Sequence, residues 1–158
     1  MFIKIFKFIS IFILFYQNPS FSKSTSFNDF SSKTLSNYFS GIVALENKNN
    51  SKALKFFNSS KNLTKEHDPY LKKYITTLVL EKKVSEAINV IKNNENRDNI
   101  NFFDAHLLLI LDNLKKNNIK KAYENLNVAS KFVEQDRLNS AIFEILKQYI
   151  SVFKKKKI

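Results

Sequence analysis

The feature that most constrains this chain is a tripeptide that returns at a near-constant interval. Ser51-Lys52-Ala53, Ser85-Glu86-Ala87 and Lys120-Lys121-Ala122 each open a run with helical spacing, and their alanines lie 34 and then 35 residues apart. Four residues beyond each alanine stands a large apolar side chain: Phe57, Ile91 and Leu126. A fixed period of this size means one supersecondary unit copied in series, and 34 residues is the length of a helix–turn–helix repeat. A unit of that kind cannot bury its apolar face alone, so neighbouring units must stack.

Composition agrees with helices. The chain has 158 residues, the size of one domain, with 16 Phe and 6 Tyr to build a core but only one Gly and two Pro. Turn-rich β architectures need many more Gly and Pro than that. The fold class expected is all-α: a right-handed α-solenoid of about three helix–turn–helix repeats, closed by a C-terminal capping helix.

The chain divides accordingly. Apolar spacing predicts a first helix over 35–47 and a second over 51–63, with Asn50 or Ser51 as its cap. Asp68-Pro69 starts the next unit, with Asp as N-cap and Pro at the first helical position, running to about 82. Residues 85–93 form its second helix. Asn101 and Asp104 resemble a capping box for the helix that follows, Asn117-Asn118 is its turn, and Ile119 to Val133 carry the sixth helix. The repeats thus occupy 34–67, 68–100 and 101–133. Residues 134–158 hold a terminal helix on Leu138, Ile142, Ile145 and Tyr149, then a Lys tail.

The N-terminus reads as an address. Lys4 and Lys7 lead into an uncharged apolar run from Phe8 to Tyr16, followed by Gln17-Asn18-Pro19 and Ser20-Phe21-Ser22. A basic start, a short apolar stretch, a breaker and small residues two apart describe a secretory signal peptide over 1–22, cleaved after Ser22. The alternative is an uncleaved anchor, but about 15 residues interrupted by two Lys fall short of the roughly 20 a spanning helix needs. Residues 23–33 are Ser-rich and read as a flexible lead-in. An exported, periplasmic or envelope-associated protein is the expectation.

Charge narrows the partners. The formal charge of +12 falls to +10 when the two signal-peptide lysines are removed. Of 26 basic residues only Arg97 and Arg137 are Arg. Bidentate contacts to guanine or phosphate favour Arg, so a Lys-rich surface argues against nucleic acid. The absence of Cys excludes disulfides, thiol catalysis and Cys-based metal sites.

The pattern of Gly41, Ala53, Phe57 and Ser60 in the first unit, with Ala87 and Ile91 in the second and Ala122, Leu126 and Ala129 in the third, resembles the tetratricopeptide repeat. Ile75 and Ile110 stand where that family places a small residue, and Asn94 replaces the second small one. "YFSG", "SKALKFF" and "DPYLKKY" also look like the opening of longer exported repeat proteins of α-proteobacteria, of which this chain would be a shortened version. The resemblance implies a superhelix whose concave groove is lined by the first helices of the units. Groove residues carried over by position are Tyr38, Ile42 and Leu45, then Lys72, Thr76 and Val79, then Leu107, Leu111 and Leu114. The competing reading places their apolar members in the core.

Little chemistry accompanies this scaffold. One glycine cannot make a phosphate loop, and no G-x-S-x-G elbow or HExxH helix occurs. His67 and His106 lack i+3 or i+4 ligand partners and read as structural or surface histidines. No catalytic residue, metal or cofactor is expected. The function expected is a non-catalytic envelope scaffold that binds a peptide or helix of a partner protein. The alternative is Lys-driven association with anionic membrane or envelope polymer, through the Lys tail or a retained N-terminus. Self-association through the terminal helix is a further expectation.

Overall fold

The structure is a computed structural model that describes residues 31–65, 67–94, 100–133 and 136–155. The signal segment 1–22, lead-in residues 23–30, the polar residues 95–99 and the end of the Lys tail lie outside the described residues. All regular elements among the described residues are helical: α1 (Ser32–Glu46), α2 (Asn50–Asn58), α3 (Asp68–Leu80), α4 (Val84–Asn94), α5 (Phe103–Lys115), α6 (Ile119–Ala129) and α7 (Arg137–Lys155). Short 3₁₀ segments follow α2 (Lys61–Lys65) and α6 (Ser130–Phe132).

The repeat is clearest in the turns. Three residues separate α1 from α2, α3 from α4 and α5 from α6. In each turn the middle residue takes a left-handed backbone: Lys48 (φ 58°), Lys82 (φ 61°) and Asn117 (φ 56°). The hydrogen bonds match. Lys48 N–H reaches Leu45 C=O at 2.9 Å and Asn49 N–H reaches Ala44 C=O at 2.9 Å, with the same pair recurring at Lys82/Lys83 and at Asn117/Asn118. This is the paired closure that satisfies the last carbonyls of a helix and reverses the chain. Each turn's last residue then starts the next helix: Ala53, Ala87 and Ala122 donate to the carbonyls of Asn49, Lys83 and Asn118.

Several boundaries shift from the sequence-based ones for local reasons. Ser32 and Lys33 belong to α1, because the Ser31 hydroxyl accepts from Thr34 N–H and so starts the helix within the lead-in. Asn49, rather than Asn50 or Ser51, caps α2 by accepting from Lys52 N–H. Asp68 is the first helical residue of α3, with His67 at the cap position. Asn101 and Asp104 do not form a capping box, since Phe102 occupies the cap position and the Asn101 amide donates to Asp68 at 3.4 Å.

Each helix packs on its sequence neighbour, and α1 also touches α3. The core lies in two clusters with α5 as the shared wall. Ala105 and Leu109 face the cluster of α1 to α4, whereas Phe103 and Ile110 join Ala122, Leu126, Ala129 and Ile150. Each large side chain so buried contributes roughly 1.5–3 kcal/mol.

Candidate interaction surfaces

The side chains that define the repeat are all interior. Gly41, Ala53, Phe57, Ala87, Ile91, Ala122, Leu126 and Ala129 are buried. Gly41 has a direct steric reason, for a Cβ there would lie 2.7 Å from Cε1 of the Phe57 ring. Ser60, at the repeat position of Ala129, is buried, and its single hydroxyl proton is shared between the carbonyls of Thr34 and Phe56, each 3.1 Å away. These residues hold helices together and are not offered to a partner.

The groove candidates separate into two groups. Tyr38 is buried, its ring 5.1 Å from His67 and 5.9 Å from Tyr70, inside an aromatic cluster that includes Phe57. Burial pushes the Tyr38 and Tyr70 phenols up, and the Tyr70 hydroxyl donates to Phe57 C=O at 2.7 Å. Ile42, Leu45 and Val79 pack against the first core cluster, and Leu107 and Leu114 against the second. Lys72, Thr76 and Leu111 are the exposed members. Thr76 donates to Lys72 C=O at 2.9 Å, and the Lys72 ammonium lies 5.7 Å from the Phe102 ring centre. Leu80, half exposed and one turn beyond Thr76, belongs to the same face of α3. Its i+4 spacing from Thr76 was the signal available for it.

A charged cleft of about 330 Å³ opens between α4 and α5, lined by Ser85, Asn89, Lys92, Asp112, Lys115 and Lys116 among others. The Asp112 side chain is 10% exposed, and both Lys92 and Lys116 donate to its Oδ2 at 2.8 Å. These hydrogen bonds, Lys116 first and then Lys92, hold its carboxyl below the usual aspartate value, and Asp112 in turn raises Lys116. Lys92 and Asp112 are 20 residues apart, so no local pattern announced the pair. A second cleft of about 610 Å³ lies along α1 and α2, bordered by Phe39, Val43 and Phe56.

The histidines take structural places. The His67 ring stands edge-on to Tyr38, and His106 is buried with Nε2 3.1 Å from the Ile100 carbonyl and its ring stacked on Phe132. Among the described residues no group of three His, Cys, Asp or Glu side chains could hold a metal ion. No helix among them is long and apolar enough to cross a membrane. No family model, curated protein or solved structure matches this chain.

Proposed function

We propose that the protein is a non-catalytic interaction scaffold, exported after loss of residues 1–22, in which three tetratricopeptide-like hairpins stack into a short right-handed solenoid. The observation that carries this reading is the threefold recurrence of one hairpin, with a left-handed residue at the same turn position and a fully buried alanine at the same helical position each time. Repetition sets equivalent side chains in series, which is how helical arrays recognise an extended peptide or helix. Thr76 and Leu111 occupy equivalent places in the second and third units and are both exposed. With Lys72 and Leu80 they supply apolar contact beside a cation, suited to a partner segment that carries a carboxylate among apolar residues.

The test is affinity capture from envelope extract of the source cells, with a variant carrying Lys72→Glu, Leu80→Asp and Leu111→Asp beside the native chain. All three sites are exposed, so helical content measured by circular dichroism should stay the same. A partner retained at high salt and lost from the variant supports the scaffold. Equal capture by both chains overturns this surface. Salt-sensitive binding to anionic vesicles, untouched by the three substitutions, would point instead to association through the lysines. Intact mass of the cellular protein tests export, which retention of residues 1–22 would contradict.

A further inference from the structure

The terminal helix α7 carries two apolar faces, and the described residues cover only one. Ile142, Phe143, Leu146 and Ile150 pack into the second core cluster. Leu138 and Ile145 are each 66% exposed, and Tyr149 and Val152 are about half exposed. Together with exposed Ala141 they fall within an arc of about 80° at 3.6 residues per turn, a continuous stripe.

The repeat shows what this stripe lacks. Gly41, Ile75 and Ile110 occupy one repeat position, and all three are buried beside the second helix of their own hairpin. Thirty-five residues after Ile110, at the same position, stands Ile145. One turn earlier, Leu71 and His106 are buried whereas Ala141 is exposed. At its centre, Ile145, the bare stripe therefore matches the position that a second, antiparallel helix covers in each of the three preceding hairpins.

We infer that a second copy of the chain supplies that helix, through a two-fold antiparallel pairing of α7 with α7 centred on Ile145. The stripe is symmetric about this residue. Leu138 and Val152 lie seven residues to either side, and Ala141 and Tyr149 four to either side. A two-fold axis at Ile145 sets Ile145 against itself, Leu138 against Val152 of the other copy, and large Tyr149 against small Ala141. Such self-complementarity is what an isologous interface requires. Charge selects the same orientation. In the sequence a run of lysines follows Phe153, whereas Asp136 and Arg137 at the other end sum to zero, so parallel pairing would set like charges together and antiparallel pairing would not.

The exposed area is modest. Four large side chains left half bare or more amount to something on the order of 400 Å² per copy, at ~200 Å² for a large side chain. A standard interface takes about 800 Å² per partner, so the rim must contribute and the pairing is expected to be weak, at roughly micromolar order.

The chain has no cysteine, which makes cysteine cross-linking of the full chain clean. Single variants Leu138→Cys and Val152→Cys, mixed and treated with a short bismaleimide, should join to each other in preference to themselves. Ile145→Cys alone should link to itself, whereas Glu124→Cys, exposed on α6, should not. By sedimentation the native chain should be a dimer at tens of micromolar, about 10 times a micromolar constant. Ile145→Glu should weaken it on the order of 100-fold, because the buried charge enters the interface twice, with helical content unchanged. A native chain that stays monomeric, a dimer that survives Ile145→Glu, or preferential Leu138–Leu138 links would each overturn the inference. None of these readouts involves the α3 and α5 surface, so this pairing and the scaffold reading stand or fall separately.

Discussion

The first hairpin and the two that follow fill the same space with different side chains. Between α1 and α2 the slot holds Gly41 and Phe57, with no room at the glycine for even a methyl group beyond the ring. Between α3 and α4 the equivalent positions are Ile75 and Ile91, and between α5 and α6 they are Ile110 and Leu126, all buried. An aromatic ring laid over a glycine and two aliphatic chains side by side are two ways of filling a close-packed gap. Packing density constrains the sum of the two volumes, not each residue separately. That is why Ile can stand at the small-residue position of the repeat without loss of the hairpin.

The largest expected effect breaks the comparison at its most buried point. Ile110→Ala should cost about 2–5 kcal/mol in urea unfolding, because it opens a cavity beside Ala122 and Leu126. Ile145→Ala, at the same repeat position but 66% exposed, should cost less than about 0.5 kcal/mol in the monomer. Equal losses at both sites would show that Ile145 is packed as Ile110 is, and that α7 has no bare face. The next effect sharpens the volume argument. Gly41→Ile alone should destabilise by about 1–3 kcal/mol through collision with Phe57. Combining it with Phe57→Ile should recover most of that loss, giving a non-additive pair. Simple additivity would mean that the slots are not interchangeable.

A smaller effect separates the second and third hairpins electrostatically. Asp112 ties Lys92 of α4 to Lys116 beyond α5, and Asp112→Asn should remove about 1–2 kcal/mol at neutral pH. The sign of the pH dependence follows from the lowered carboxyl. Its stabilisation is complete above the ordinary aspartate value of 3.8 and is lost as pH falls from there through its own lower value. Unfolding measured across this acid range should therefore be less steep in pH for Asp112→Asn than for the native chain.

The smallest effects concern the turns and go in the stabilising direction. Lys82 pays the steric cost of a left-handed backbone that glycine avoids, so Lys82→Gly should gain up to about 1 kcal/mol. Lys83 cannot accept from the free N–H groups at the start of α4 as Asn49 and Asn118 do for their helices. Lys83→Asn should add about 0.5–1 kcal/mol, less the weak exposed pair Lys83 makes with Glu86 at 3.2 Å. Thermal unfolding of the two single variants checks both, and a loss at either would mean that the second turn differs from its neighbours in more than its residues.

Much of the fold was legible because it is written in short-range chemistry. The helical class and the alanines at the close approach follow from spacing within one unit, and the hairpin period from the interval between one unit and the next. Helix starts were legible to within a few residues, and those shifts came from hydroxyl and amide caps choosing among adjacent Ser and Asn residues, as at Ser31 and Asn49. Helices α2 and α6 stop at Asn58 and Ala129, short of the expected ends at 63 and 133, and the 3₁₀ segments Lys61–Lys65 and Ser130–Phe132 follow them. The surface was legible only in part. Leu111 and Leu107 have the same character and lie on one helix, but Leu107 packs against the second core cluster and Leu111 stays exposed. Periodicity marks an apolar face without saying how much of it a neighbour covers.

By itself, the sequence determined that this protein is helical and built on a repeating hairpin, because caps, left-handed turn residues and close helix contacts act over a few residues. Only the tertiary structure decided that Tyr38 is sealed in an aromatic cluster, that Asp112 gathers two lysines, and that α7 keeps one apolar face bare. Those outcomes depend on which helix arrives opposite a given side chain. That is a property of the assembled neighbours, and no window along the chain contains it.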